Sequence, residues 1–336
     1  MAFYDDIDVH RRLVGDNVRT RAFFESITAT VSPGDVVLDV GSGSGILSLF
    51  AAQAGASRVY AVDRAPAAAA LARRLIADNS MQDRIQIIVG EAERVALPTR
   101  VNVLVSEWLG VYGVDENMLG SVLAARDRWL ESDGTLIPGA VTAWLAPVSH
   151  PAGTEAAEWH TRRYDLDLAA LAPFSLDEAV SLPPGTEPAS LRAQPQAMWA
   201  VDPQTMSTVE ATSPFLAELS FTLEGGDVNG LLAWFSASMP GAVDLSNAPG
   251  LPATHWGQFL FPLASVGEAT AGDELLVTFE CVPAGALGSH HRWSARTAEG
   301  NPEMHDTRRP RRAQWMPPWR VSYAGWTDSQ ERSVTQ

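Results

Sequence analysis

The sequence predicts an α/β chain in which a doubly wound parallel sheet is followed by an antiparallel β-barrel. Three observations predict it. Apolar runs at residues 36–40, 59–62, 85–89 and 101–105 alternate with helical stretches at 46–54 and 67–79, the strand-helix rhythm of a buried parallel sheet. The first run ends in the turn Gly41-Ser42-Gly43-Ser44-Gly45, the strand, turn and helix start of a mononucleotide-binding unit. Beyond Ala140 the pattern changes to strand-like runs broken by Pro and Gly, among them 217–223, 230–238, 257–263 and 274–282; these read as an antiparallel barrel.

Taken in order, residues 1 to about 33 read as helices that stop at the Pro33-Gly34 turn. The glycine loop has the spacing G-x-G-x-G, with Ile46 where a dinucleotide loop carries its third glycine. That loop seats a pyrophosphate on the helix N-terminus. S-adenosylmethionine has no phosphate, so the departure favours methyl transfer over hydride transfer. Asp63 closes the second strand, where an acid accepts hydrogen bonds from ribose hydroxyls, although NAD enzymes place an acid there too. After the fourth strand come Ser106-Glu107-Trp108 and, nine residues beyond Glu107, Glu116. Two carboxylates on one hairpin orient a cationic acceptor and stabilise the charge that develops on it.

A helix is expected at 118–129, and 134–138 opens the passage to the second unit. A helical insert at about 154–171 sets Trp159, Tyr164, Leu166, Leu168 and Leu171 where little chain covers them, the profile of an interface. The tail carries Arg308, Arg309, Arg311 and Arg312, then Trp315, Trp319 and Trp326. The expected organisation is 1–139 for the N-terminal helices and cofactor unit, 140–300 for the barrel with its arm, and 301–336 for an Arg/Trp-rich extension with a solvated basic face.

At 336 residues, with 46% hydrophobic and 19% charged residues, the chain can bury a large core in two compact units. A net charge of −16 argues against nucleic acid, whose affinity rests on basic surfaces, and draws in a cationic acceptor. Every basic residue other than histidine is Arg, a composition expected of a GC-rich bacterial genome. Cys281 is alone, so one chain forms neither a disulfide framework nor a cysteine metal cluster. The N-terminus lacks a basic start and an apolar core, and no window nears the roughly 20 apolar residues that span a bilayer; a cytoplasmic protein away from the membrane is expected. His290-His291 and His305 lack acidic or cysteine partners at ligand spacing, and neighbours on a strand face opposite ways. No metal is expected.

From Val37 to Pro138 the chain resembles the protein arginine methyltransferases segment by segment. Residues 46–56 resemble the family's first helix, and Glu93 sits in the acidic turn before Leu97-Pro98. Ser106-Glu107-Trp108-Leu109-Gly110 through Glu116-Asn117-Met118-Leu119 matches the double-Glu hairpin with its spacing intact. Thr254-His255-Trp256 matches a loop of the family's barrel, while His10 and Asp16-Asn17-Val18-Arg19-Thr20 resemble the helix that closes over the cofactor. The match spans most of residues 4 to 285.

That resemblance implies a Rossmann-like methyltransferase domain, a β-barrel and a helical dimerisation arm that docks on a second subunit, hence a homodimer. It implies S-adenosylmethionine held by His10, Arg19, Gly41, Gly43, Ser44, Asp63, Glu93 and Met118, with Arg19 on the cofactor's carboxylate and Glu93 on its adenine. It makes Glu107 and Glu116 the catalytic clamp and pairs His255 with Asp16, either to close the lid or to carry a proton away. Tyr4, Asp115 and Trp256 are expected at the acceptor. Val111 and Asp115 replace residues that are usually aromatic, Leu13 stands for the methionine of type I enzymes, and Tyr4 is what remains of a shortened N-terminal motif. An added carboxylate at Asp115 suits an acceptor with more than one cationic or hydroxylated group. The expected acceptor is therefore a cationic small molecule or peptide of a bacterial biosynthetic pathway, with protein arginine as the alternative. A non-catalytic dimeric binding scaffold is the rival from another class.

Overall fold

The computed structural model describes residues 7–154, 162–284, 288–297, 300 and 302–308. Two helices lead: α1 (Ile7–Gly15) and α2 (Asn17–Thr30), joined at Asp16, the N-cap of α2, whose carboxylate accepts the Arg19 N–H at 3.0 Å. Then follow β1 (Val36–Val40), α3 (Ile46–Ala54), β2 (Arg58–Asp63), α4 (Pro66–Asp78), β3 (Ile85–Val89), β4 (Val101–Val105), α5 (Leu119–Trp129) and β5 (Leu130–Ile137). The sheet order is β3-β2-β1-β4-β5 with every pairing parallel. Val37, Leu38, Val59, Val103 and Leu104 are buried because helices cover the sheet on its faces, which is why these strands read as unbroken apolar runs.

The strand order reverses between β1 and β4, and ligands of such sheets bind at that switch point, beyond the carboxyl ends of the strands. Here the glycine loop leaves β1 and the double-Glu hairpin leaves β4, side by side. The Ser106 hydroxyl fastens them by donating to the Val40 carbonyl at 2.7 Å.

Residues 134–138 were expected only as a passage, but 134–137 belong to β5, which pairs with β4. α5 runs into this strand without a break, and Glu131-Ser132-Asp133 carries no apolar alternation to mark the change.

From Val141 onward the described strands form two large antiparallel sheets and one two-stranded hairpin. The larger is built on β6 (Val141–Ser149), Gly226–Met239 and Gln258–Ala269; the smaller on Phe215–Thr222, Glu274–Pro283, Ser289–Thr297 and Glu303–Asp306. Phe261 of the first meets Phe279 and Trp293 of the second at ring-centroid distances of 4.7 and 5.2 Å, so both line one aromatic core. The barrel is thus a pair of sheets closed by side-chain packing. That core is continuous with the apolar layer around the parallel sheet.

Two expectations need correction. Within the insert at 154–171, Arg162–Arg163 pairs with Leu166–Asp167 as a small antiparallel hairpin, followed by a 3-10 turn at Ala169–Leu171 and a short helix at Ala172–Ser175. Tyr164 and Asp165 both take positive φ, 53° and 59°, the geometry of a tight two-residue hairpin turn, and this overrides helical spacing. Trp159 lies outside the described residues. The second correction is at the tail: Glu303–Asp306 adds an edge strand to the smaller sheet, so the β unit runs past residue 300. Arg308 is described, and Arg309, Arg311, Arg312, Trp315, Trp319 and Trp326 lie outside the described residues. Among the described residues no helix is long and apolar enough to cross a membrane.

Candidate active site

The glycine loop is shaped by close approach. Gly41 and Gly43 hold φ of 71° and 52°, left-handed values that side chains rarely adopt. A Cβ on Gly41 would lie 3.0 Å from the Met118 methyl carbon, and one on Gly43 would lie 3.1 Å from the His10 imidazole. These two residues therefore sit against the loop. Asp63 bridges the loop to the next helix, accepting the Gly43 N–H at 2.7 Å on one oxygen and the Ala65 N–H at 2.8 Å on the other. Each oxygen keeps acceptor capacity for a further donor.

These residues face a cavity of about 840 Å³. His10, Arg19, Gly41, Gly43, Ser44, Asp63, Glu93, Met118, Glu107, Glu116 and Asp115, all named from the sequence, reach its walls. Glu93 accepts a hydrogen bond from the Ser121 hydroxyl at the start of α5. Tyr4 lies outside the described residues.

Arg19 and Glu107, 88 residues apart, form a buried ion pair. Arg19 Nε and Nη2 approach one Glu107 oxygen at 3.3 and 3.1 Å, with side-chain exposures of 6% and 11%. The second Glu107 oxygen accepts the Leu109 N–H at 3.0 Å. Arg19 Nη1 is buried and has no hydrogen-bond partner among the described residues. A cofactor bearing a carboxylate fits this donor, since a buried guanidinium N–H costs free energy until it is paired.

His255 and Asp16 meet across the domain junction. The Asp16 carboxylate accepts the His255 main-chain N–H at 2.7 Å and pairs with Nδ1 of the ring at 2.8 Å. Burial alone raises the Asp16 carboxyl, but the His255 ring and the N–H groups of Arg19 and His255 outweigh it and hold the group below its ordinary value.

Two residues expected at the acceptor are engaged elsewhere. Trp256 is 5% exposed; its indole N–H donates to the Leu109 carbonyl at 2.7 Å and its ring stands edge-on to Phe235. It fastens the hairpin from outside the cavity. Asp115 touches the cavity wall, yet its two oxygens accept the Tyr112 and Val111 N–H groups at 3.0 and 3.1 Å. Both of its oxygens are thus already engaged with the hairpin main chain, a role that the sequence did not suggest. Burial raises its carboxyl above the ordinary value.

Sequence reasoning missed two members of the site. Asp39 lies fully buried beneath the glycine loop, accepting the Ser48 hydroxyl at 2.6 Å; burial, with the charge of Asp63 adding to it, pushes its carboxyl up to about 7. An acidic residue inside an apolar strand was the signal. Asn247 ties three segments together, donating to the carbonyls of Val111 and Gly257 at 2.7 and 2.6 Å and accepting the Phe235 N–H at 2.8 Å. Its neighbours Ser246, Pro249 and Gly250 read as a plain turn. Among the described residues no group of three His, Cys, Asp or Glu side chains is placed to hold a metal.

Comparison with known proteins agrees with this geometry. Residues 14–111 match the family described as ribosomal protein L11 methyltransferase, and residues 141–294 match the arginine methyltransferase oligomerization subdomain. Protein arginine N-methyltransferase 6 of Xenopus laevis is 32% identical over 274 residues, covering 77% of this chain and 79% of that protein. Protein arginine N-methyltransferase 1 of Chlamydomonas reinhardtii is 31% identical over 287 residues, covering 83% and 82%. Among solved structures, the Trypanosoma brucei PRMT1 enzyme-prozyme heterotetrameric complex with AdoHcy superposes with a TM-score of 0.81 at 25% identity, covering 91% of this chain and 99% of that one. The parallel sheet and the antiparallel unit that follows have the architecture of these matches: the chain belongs to the protein arginine methyltransferase family and is an S-adenosylmethionine-dependent methyltransferase.

Proposed function

We propose that this enzyme methylates a guanidino nitrogen of arginine in a protein or peptide chain. The observation that carries the reading is the hairpin after β4, which brings Glu107 and Glu116 to one cavity with the glycine loop and locks Glu107 through Arg19 and the Leu109 N–H. A guanidinium is planar and presents several N–H groups, which suits two carboxylates held on one support. Both Asp115 oxygens already hold main-chain N–H groups of the hairpin, and the relatives named above are protein arginine N-methyltransferases. The second reading, a cationic small molecule, keeps one support: Val111 stands where the family usually carries an aromatic side chain.

S-adenosylmethionine supplies an electrophilic methyl group on a sulfonium. Arg19 would hold its carboxylate through Nη1, Asp63 its ribose hydroxyls and Glu93 its adenine, while His10 and Met118 pack against the glycine loop. Glu107 and Glu116 would orient the guanidinium and draw its charge toward the nitrogens they hold, leaving the remaining nitrogen the better nucleophile, and positioning of this kind supplies several kcal/mol of a displacement barrier. They also stabilise positive charge as the bond forms. The Asp16-His255 pair joins α2 to the barrel and is suited to accept the released proton.

The same reading divides the chain near residue 139, between the last parallel strand and the first antiparallel one, and makes the enzyme a homodimer. Phe24, 37% exposed, packs edge-on to Phe50 at 5.1 Å on the outer face of α2 and α3. With Asn17, Thr20 and Arg21 the two rings line a shallow groove. Tyr164 and Leu166 are 95% and 61% exposed, and such apolar surface is suited to a partner's groove.

The test is transfer of labelled methyl from S-adenosylmethionine to an arginine-containing peptide, its Lys-for-Arg counterpart, and a panel of amino sugars and free guanidines. Label in the arginine peptide alone is expected. Label only in the small amines would establish the second reading. Failure to bind the cofactor in calorimetry at high micromolar concentration would favour a non-catalytic scaffold.

A further inference from the structure

The hairpin that carries Glu107 and Glu116 has no regular strand pairing at its tip, yet its main chain is held by side chains on every side. The Leu109 N–H donates to Glu107 at 3.0 Å, and the Leu109 carbonyl accepts from Trp256 at 2.7 Å. The Val111 carbonyl accepts from Asn247 at 2.7 Å. The inward N–H groups of Val111 and Tyr112 go to Asp115, one to each carboxylate oxygen, at 3.1 and 3.0 Å. Buried N–H groups need such partners, and a carboxylate supplies two at once.

The surroundings fit this arrangement. Gly113, at φ 103°, turns the chain back so that residue 115 faces residue 111. A Cβ on Gly110 would run into the Asp115 carboxylate. Tyr112 points the opposite way, fully buried, with its ring edge-on to Phe261 and Phe279 at 6.3 and 6.1 Å, so it anchors the tip in the barrel core. Asp115 is 8% exposed and immediately precedes Glu116.

We propose that Asp115 is a positioning residue: by binding the Val111 and Tyr112 N–H groups it sets the placement of Glu107 and Glu116 against each other. This rests on the reading of Glu107 and Glu116 as the acceptor clamp. A shift of about 1 Å in a reacting group can cost a hundredfold in rate, so a loosened tip is read in turnover before it is read in binding.

The experiment compares Asp115→Asn and Gly110→Ala in the full chain. The first keeps the shape but sets an amide NH₂ against a main-chain N–H; the second keeps the charge but displaces the carboxylate. For each, kcat is expected to fall by about 10- to 100-fold, while KM for the arginine peptide and Kd for S-adenosylhomocysteine change by less than about threefold. The double variant should lose little more than the worse single one, because both act through one contact. A KM rise of about tenfold or more with kcat preserved in Asp115→Asn would make Asp115 an acceptor ligand and overturn the proposal. Normal kinetics in both variants overturns it too, as does loss of cofactor binding in step with turnover, which would mark a role in the fold at large. Glu107→Gln and Glu116→Gln are run beside them. If those remain active, the clamp reading fails; if they are dead while Asp115→Asn is normal, only the present proposal fails.

Discussion

Glu107→Gln separates the two tasks that the geometry gives this side chain. Glu107 compensates a guanidinium that is itself almost fully buried, at 3.1 Å, and it lines the cavity in which the proposed acceptor would bind. Removing one partner of a buried ion pair costs about 3 to 5 kcal/mol; glutamine keeps the shape and one acceptor oxygen, so the lower end, about 3 kcal/mol, is expected. At about 2 °C per kcal/mol for a chain of this size, the cofactor-free variant should melt about 6 °C lower. Turnover should fall a hundredfold or more, which is about 2.7 kcal/mol of transition-state stabilisation. Cofactor affinity should not weaken, because an Arg19 relieved of Glu107 presents more uncompensated charge to a carboxylate. The assays are a melting scan, calorimetry with S-adenosylhomocysteine and saturating radiometric turnover on an arginine peptide. A variant with normal turnover removes Glu107 from the acceptor clamp, and a Kd raised more than about tenfold shows that Glu107, and not Arg19, secures the cofactor.

Glu116→Gln, which leaves the Arg19 pair intact, should lose turnover to a similar degree, about a hundredfold, with less change in melting; equal activity to the parent would remove it from the clamp. Asp63→Ala should weaken S-adenosylhomocysteine by about 1 to 3 kcal/mol, since the ribose acceptor and the tether on Gly43 go together, and an unchanged calorimetric Kd places the ribose elsewhere. Asp39 makes stability depend on pH. Its folded value of about 7 lies above the ordinary 3.8, so between these values the folded chain holds a proton that the unfolded chain has lost, and stability falls as pH rises through that window and levels above it. From pH 6 to pH 8 the loss is about 1 kcal/mol, and Asp39→Asn should flatten this part of the melting profile; an unchanged slope means that Asp39 is already ionised in the folded chain. Tyr164→Glu combined with Leu166→Glu should give a monomer by light scattering with lower activity, and a persisting dimer places the interface elsewhere.

The amino-acid sequence by itself determined the features whose causes are local or periodic. The first four parallel strands are apolar runs because both faces of the sheet are covered, and α3 follows the glycine loop at the expected residues. Asp63 and the two glutamates lie next to strand ends that the pattern locates, so their arrival at one cavity was legible. Tertiary structure decided the rest. Arg19 finds Glu107 across 88 residues and Asp16 finds His255 across 239, pairings in which only the second was suggested by a resemblance. β5 carries no strand alternation and exists because β4 offers it an edge. Over Arg162–Asp167 a hairpin stands in place of the expected helical spacing because two residues adopt left-handed turn geometry. Asp115 and Trp256 show most plainly why residue type alone cannot assign a role: a carboxylate or an indole in a site answers to whichever hydrogen-bonding group lies nearest. For both, that group is the backbone of the hairpin that carries the acceptor glutamates.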